Sequence, residues 1–354
     1  MKVLFIHRHC GVGGVSTVIR SRYVGLKQLG IEADYLFLND YGGKKIFSDL
    51  DIRLYQLKDH NEIAKIIYGN TYDFISSIDC PELHGLLNTL PHTFKILCEV
   101  HTPYPDQRAY LKKADLPSGT RCIVTPSETF KEIIRNERSA FRDIPIHVIP
   151  NPVEERFLVD GDHVKEPFNK KYVGWIGRLD KMKNYQEGLK IAEECAAFRD
   201  DVEFIFVGRF PSGGGTQLFP QILKFKGRTK FKWLPFIPHQ DVHRFYGLLR
   251  ESGGCYLSTS LGENQSCAAL ESMASKCPVV TTDIEVFKEL LEDGRCGSIY
   301  KSGNVRGAVD KINKILDDRV LRDAITDSAY TKVLERFTVE KVSLKWEKLL
   351  KSLE

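Results

Sequence analysis

Two short stretches of this 354-residue chain hold side chains whose types and spacing suit chemistry on a charged, oxygen-rich ligand. In WIGRLDKMKN, Arg178 and Lys183 stand five residues apart, just past an apolar run that reads as a strand. Two cations at the mouth of a sheet suit a diphosphate, whose negative charge grows as it leaves a reacting carbon. The competing reading is a solvated loop rich in lysine, Lys181 included. In STSLGENQSCAALESMASKCPVV, Glu263 falls in the loop after a strand and Glu271 a few residues into the next helix, whose predicted N-cap is Ser266. A carboxylate one turn inside a helix leans back toward the helix N-terminus. The amides of Gln265, Ser266 and Cys267 would then face a ligand flanked by both carboxylates. In the alternative, Glu271 merely serves the helix dipole.

A third stretch, HRHCGVGGVST, links the first strand to the first helix. Gly11, Gly13 and Gly14 allow close backbone approach, and the helix start offers unpaired N–H groups that suit a phosphate. The spacing is nearly G-x-G-x-x-G, with Ser16 in the last place. Asp40 stands roughly where a ribose-binding acid would end strand two. A nicotinamide-dependent oxidoreductase with its dinucleotide in this loop is therefore the alternative reading.

These residues must be held by a scaffold, and the apolar pattern supplies one. Short β-branched or aromatic runs (KVLFIH, ADYLFL, YDFISSI, FKILCEVH, RCIVTPS, IHVIP) alternate with helical stretches. Mostly apolar strands separated by helices predict a parallel sheet covered on both faces. A proline-rich, charged stretch from about Pro150 to Lys171 reads as a linker, and a second series follows: YVGWIGR, VEFIFVG, FKWLPFI, CYLSTS and PVVTTD. The fold class is α/β, two doubly wound Rossmann-like domains facing across a cleft, with ligands at the carboxyl ends of the strands. The predicted boundaries are 1–160, 161–335 and a docking helix over 336–354, where Val339, Val342, Trp346, Leu349, Leu350 and Leu353 form one stripe.

Composition narrows the function. Lys+Arg 51 against Asp+Glu 47 gives a net charge of +4, too near balance to imply a polyanionic partner. There are 21 basic and 22 acidic residues up to Phe168, and 30 and 25 beyond it. The basic run Lys224, Lys226, Arg228, Lys230, Lys232 fits a polar strand edge better than a nucleic-acid patch. Nine cysteines without a C-x-x-C argue for reduced thiols in the cytoplasm. No apolar window is long enough to span a membrane, so membrane contact is at most peripheral. The triplets Asp49-Leu50-Asp51 and Asp160-Gly161-Asp162 are at chance level, and no metal is assigned.

Taken in order, the Gly-rich loop, CEVHTPY, HVIPNPV, GRLDKMK, the paired glutamates, PVV and a closing helix resemble the retaining glycosyltransferases of family 4, which have the GT-B fold. The resemblance spans almost the whole chain. It implies an acceptor-binding first domain and a second domain that binds a nucleotide sugar, with a UDP-sugar favoured. It also implies transfer to a hydroxyl acceptor in glycan, polysaccharide or natural-product biosynthesis, without a further cofactor. By the same resemblance Arg178 and Lys183 bind the diphosphate, with backbone from Gly13 and Gly14. Glu271 holds the ribose, Glu263 the sugar hydroxyls, His101 lies near the reacting carbon, and the base sits near Gly208 and Ile237. The chain departs from the family at Asn264-Gln265-Ser266, where G-F-G is common, and at Asn184 and Lys276, where glycine is usual.

Overall fold

The computed structural model describes residues 1–354 except 12, 92, 114–115, 138–142, 159–167 and 211–229. It divides into two compact units, Met1–Pro152 with Arg336–Glu354, and Val153–Glu335.

The first unit is a seven-stranded sheet of order β3-β2-β1-β4-β5-β6-β7, its neighbouring strands all parallel. In chain order its larger elements are β1 (Lys2–Gly11), α1 (Gly14–Gln28), β2 (Glu32–Tyr41), β3 (Leu54–Gln56), α2 (His60–Gly69), β4 (Phe74–Ile78), α3 (His84–Asn88), β5 (Lys95–Glu99), α4 (Ala109–Lys112), β6 (Thr120–Thr125), α5 (Glu128–Glu137) and β7 (Ile146–Val148). Side chains of β1 alternate between two cores. Val3 and Phe5 join Ile19, Tyr35 and Trp346 on one face, while Leu4 and Ile6 join Leu36, Ile63 and Ile75 on the other. A strand buried on both faces has no polar alternation, which is why KVLFIH reads as a continuous apolar run.

The sequence reading ends the first strand at His7, but β1 continues to Gly11. The added residues pair with β2, His9 with Asn39, Cys10 with Asp40 and Gly11 with Tyr41. The rings of His9 and Tyr41 meet edge to face at 5.1 Å. HRHC therefore belongs to the strand, and the loop is only the short glycine segment before α1.

The second unit is a six-stranded parallel sheet of order β10-β9-β8-β11-β12-β13. Its elements are β8 (Lys171–Ile176), α6 (Tyr185–Phe198), β9 (Val202–Val207), β10 (Lys230–Leu234), α7 (Val242–Glu251), β11 (Cys255–Ser258), α8 (Cys267–Ala274), β12 (Val279–Thr282), α9 (Glu285–Leu291), β13 (Ser298–Tyr300), α10 (Val305–Asp317) and α11 (Arg319–Arg336). The sequence reading names neither β13 nor α9–α11. On the edge strand β10, Lys232 pairs with Glu203 at 2.6 Å and Phe231 packs on Phe206, as a solvated edge requires. Lys224, Lys226 and Arg228 lie outside the described residues.

The closing helix α12 (Val339–Ser352) buries Val342, Trp346, Leu349 and Leu350 in the core of the first unit. Its approach to α1 is closest at Gly25, where a Cβ would stand 1.9 Å from the Ser343 hydroxyl and 2.8 Å from Val339. Gly25→Ala is therefore expected to cost about 1–3 kcal/mol through overpacking. Urea unfolding followed by fluorescence in a Trp175→Phe/Trp233→Phe background, where Trp346 is the remaining indole, checks it, and an unchanged midpoint would contradict the packing argument.

Candidate functional site

In the second unit the site builds from the ends of β8 and β11. Asp180 organises the loop after β8: its Oδ1 accepts the Lys183 backbone N–H at 2.9 Å, and its Oδ2 pairs with Arg178 Nε at 3.1 Å. One carboxylate thus fixes both ends of the segment that carries the two cations. The loop closes at Asn184, which adopts the left-handed region with φ 50°. Asparagine is among the few non-glycine residues that visit this region readily, so the departure from glycine preserves the turn. Lys276, the other departure, also has positive φ, 49°. The Thr259 hydroxyl, which accepts the Trp175 indole N–H, holds the carbonyls of Lys183 and Asn184 against β11.

Glu263 lies in the loop after β11, buried, and its Oε1 accepts from the Ser260 hydroxyl at 2.8 Å and from the Lys183 ammonium. Lys183 and Glu263, eighty positions apart, form one ion pair with Arg178 on the same loop. Ser266 caps α8 as expected, its side chain accepting from the Ala269 N–H. Gln265 is buried, and burial drives the Cys267 thiol upward.

Glu271, in the second turn of α8, accepts from the Tyr246 hydroxyl at 3.3 Å. Burial pushes its carboxyl to about 8; the Tyr246 hydrogen bond opposes this, the Glu154 charge adds to it, and Arg156 opposes it again. Tyr246, Glu154 and Arg156 went unnoticed in the sequence. Arg156 and His239 both contact Glu154, at 3.1 and 3.2 Å. Gly208 sits past the end of β9, where a Cβ would stand 1.9 Å from the Gly177 carbonyl oxygen, so packing alone demands glycine there. Its carbonyl accepts from the Trp233 indole at 3.0 Å. Ile237 follows the neighbouring β10, next to an exposed Phe236 that lies under the Arg209 guanidinium at 4.6 Å.

In the first unit Gly11 and Gly13, before α1, have open surroundings. A Cβ at Gly11 or Gly13 would meet nothing within 4 Å, and the φ of Gly13, 177°, is extended backbone open to any residue. Neither packing nor conformation explains these glycines. Asp40 accepts the backbone N–H groups of Gly42 and Gly43 at 2.9 and 3.1 Å and so caps its own turn. One oxygen of the acid that the dinucleotide alternative needs for the ribose is thus taken by its own turn.

His101 follows β5 and is buried. Its backbone N–H donates to Asp79, and its Nε2 lies 2.9 Å from Glu99 Oε2. Glu99 also accepts both arms of the Arg22 guanidinium, at 2.8 and 2.7 Å, and the Ser76 hydroxyl at 2.6 Å. Burial alone would raise the Glu99 carboxyl, but the Arg22 charge overrides it and holds the group at about 2. Asp49 of the first acidic triplet is taken by Arg20, while Asp160 and Asp162 lie outside the described residues. Among the described residues no helix is long and apolar enough to cross a membrane.

Comparison with known proteins bears on this arrangement. Residues 161–332 match the model of the family described as glycosyl transferases group 1. A stretch of 97 residues is 31% identical to poly(ribitol-phosphate) alpha-N-acetylglucosaminyltransferase of Staphylococcus aureus, covering 27% of this chain and 20% of that one. Another of 205 residues is 24% identical to a probable sucrose-phosphate synthase of Thermosipho melanesiensis, covering 58% and 47%. The matched stretches thus span half or less of these relatives' length. Among solved structures, Anabaena Alr3699/HepE in complex with UDP-glucose superposes with a TM-score of 0.85 at 17% identity, over 99% of this chain and 100% of that one. Sucrose-phosphate synthase from Thermosynechococcus elongatus gives 0.82 at 15%, over 100% and 99%. The fold is that of the GT-B glycosyltransferases, and residues 161–332 of this chain are similar to the glycosyl transferases group 1 family.

Proposed function

We propose that the chain is a retaining glycosyltransferase that moves a sugar from a UDP-sugar to a hydroxyl acceptor in the cytoplasm, with no metal or further cofactor. The observation that carries this reading is the Lys183–Glu263 ion pair beside Arg178. An arriving sugar diphosphate would take over Lys183 and Arg178 and release the Glu263 carboxylate to the sugar hydroxyls. The unexplained Gly13 and its neighbour Gly14 are assigned to the diphosphate, His101 to the transferred sugar, and Gly208 and Ile237 to the base. Glu271 is assigned to the ribose, and the amides of Gln265, Ser266 and Cys267 to the same donor. The first unit is assigned the acceptor. No side chain is assigned as a nucleophile; the leaving phosphate itself helps deprotonate the incoming hydroxyl, and the protein contributes charge stabilisation and positioning. The chain's cysteines form no disulfide among the described residues, as a reducing compartment would have it.

A panel of nucleotide sugars tested for thermal stabilisation and slow donor hydrolysis needs no acceptor. A UDP-sugar is expected to raise the melting temperature and to be hydrolysed slowly; no response to any nucleotide sugar would remove the reading. Activity is further expected to survive EDTA. Abolition by the chelator with restoration by Mn or Mg would show the metal assignment to be wrong.

A further inference from the structure

Glu99 has no solvent exposure, Arg22 beside it is 3% exposed, and the two meet through both arms of the guanidinium. The guanidinium carbon lies over two rings set edge to face, 4.8 Å from Phe5 and 4.3 Å from Trp346 of α12. A buried ion pair is expensive, and well-packed apolar residues commonly replace one without loss of stability. Apolar residues cannot orient an imidazole, and this pair ends on one. An ionised carboxylate only accepts hydrogen bonds. Arg22 and Ser76 occupy Glu99 from one side, and His101 Nε2 meets its Oε2 at 2.9 Å. A lone pair on Nε2 would repel that oxygen, so the proton belongs on Nε2. His7 makes the contrast: its Nδ1 donates to the Ile78 carbonyl at 2.8 Å, and burial pushes the ring down to about 4. The protein satisfies that imidazole with backbone and gives His101 a carboxylate.

We propose that Glu99 is a positioning residue that holds the His101 ring in one orientation with its proton on Nε2, and that Arg22 keeps Glu99 in place. The consequence for turnover rests on the assignment of His101 to the transferred sugar. Arg22 lies in the middle of α1, so the same ion pair ties that helix to the end of β5. The charged and titratable groups around His101 are Glu99 on its own strand, Asp79 after β4, His7 on β1, and Arg22 behind Glu99.

The test is Glu99→Gln. Its single amide oxygen is claimed by Arg22 and Ser76, so the amide N–H groups turn to His101, whose Nε2 must then accept. ¹⁵N NMR at pH 8.5, with the His101 signals identified by their loss in His101→Asn, is expected to read Nε2–H in the wild type and Nδ1–H in the variant. Turnover should fall about tenfold to a hundredfold, with affinity for UDP unchanged within about twofold, since Glu99 touches no ligand. Should Glu99→Gln fail to fold, the double variant Arg22→Met/Glu99→Gln removes both charges and is expected to lose the fixed Nε2–H signal and the same turnover. Wild-type ring signals in the variant that folds, or a wild-type kcat with the tautomer switched, overturns the proposal. If the wild type neither binds nor hydrolyses any nucleotide sugar, the donor reading fails, while the ring signals still decide what Glu99 does.

Discussion

Arg178→Ala and Lys183→Ala are each expected to cut sugar transfer by at least about a hundredfold, since on the proposed reading each removes a cation from the leaving diphosphate. Their stabilities should part company. Arg178 is 59% exposed and its pair with Asp180 contributes about 0–1 kcal/mol, so Arg178→Ala should melt like the wild type. Lys183 is the counter-charge of a Glu263 whose side chain is 7% exposed. Its removal strands a carboxylate among Ser260 and the buried β11 loop. That should cost about 2–3 kcal/mol, less than the fully buried case because Lys183 itself reaches solvent. Steady-state transfer together with thermal melts of both variants checks this. Wild-type turnover in either variant would sink the diphosphate assignment, and equal melting would sink the ion-pair account.

What was legible in the sequence follows from how local each interaction is. GRLDKMK and GENQS each keep their candidate residues within one loop, so type and spacing could raise Arg178, Lys183 and Glu263 as candidates. That Lys183 and Glu263 touch depends on β8 and β11 being neighbours, which no local pattern encodes. The same holds for Arg22 and Glu99, 77 positions apart and brought together through the central strands β1, β4 and β5. The one local trace of that pair is the E-V-H spacing before His101, since a glutamate is almost never fully buried unless paired. Tyr246 and Glu271 likewise meet only through the packing of α7 and α8. Strands buried on both faces were the readable part of the fold. The extension of β1 to Gly11 was not, because HRHC carries polar residues at a sheet end where pairing outlasts burial.

The two glutamates should fail in different ways. Glu271 is read as a ribose ligand, and a charge-assisted hydrogen bond to a hydroxyl contributes about 1.5–3 kcal/mol, so Glu271→Gln should weaken binding of bare UDP. Glu263→Gln should bind UDP nearly normally and lose turnover or sugar discrimination, because its partner is absent from that ligand. The raised carboxyl of Glu271 adds a second, independent signature. A carboxyl near 8 in the folded chain and about 4.3 in the unfolded chain binds its proton more tightly when folded, so this contribution to stability is complete below about pH 4 and is lost as pH rises to 8. Gln is neutral throughout, so Glu271→Gln should lie within about 1 kcal/mol of the ligand-free wild type at pH 5, where the loss has only begun, and melt several degrees higher at pH 8.5. Accepting ribose hydroxyls calls for the ionised carboxylate, so UDP binding to the wild type at pH 7 should release a proton, and Glu271→Gln should release none. Calorimetry in buffers of different ionisation enthalpy measures that proton, and melts at the two pH values measure the stability. If Glu263→Gln lost UDP while Glu271→Gln kept it and still released a proton, the roles of the two carboxylates would have to be exchanged.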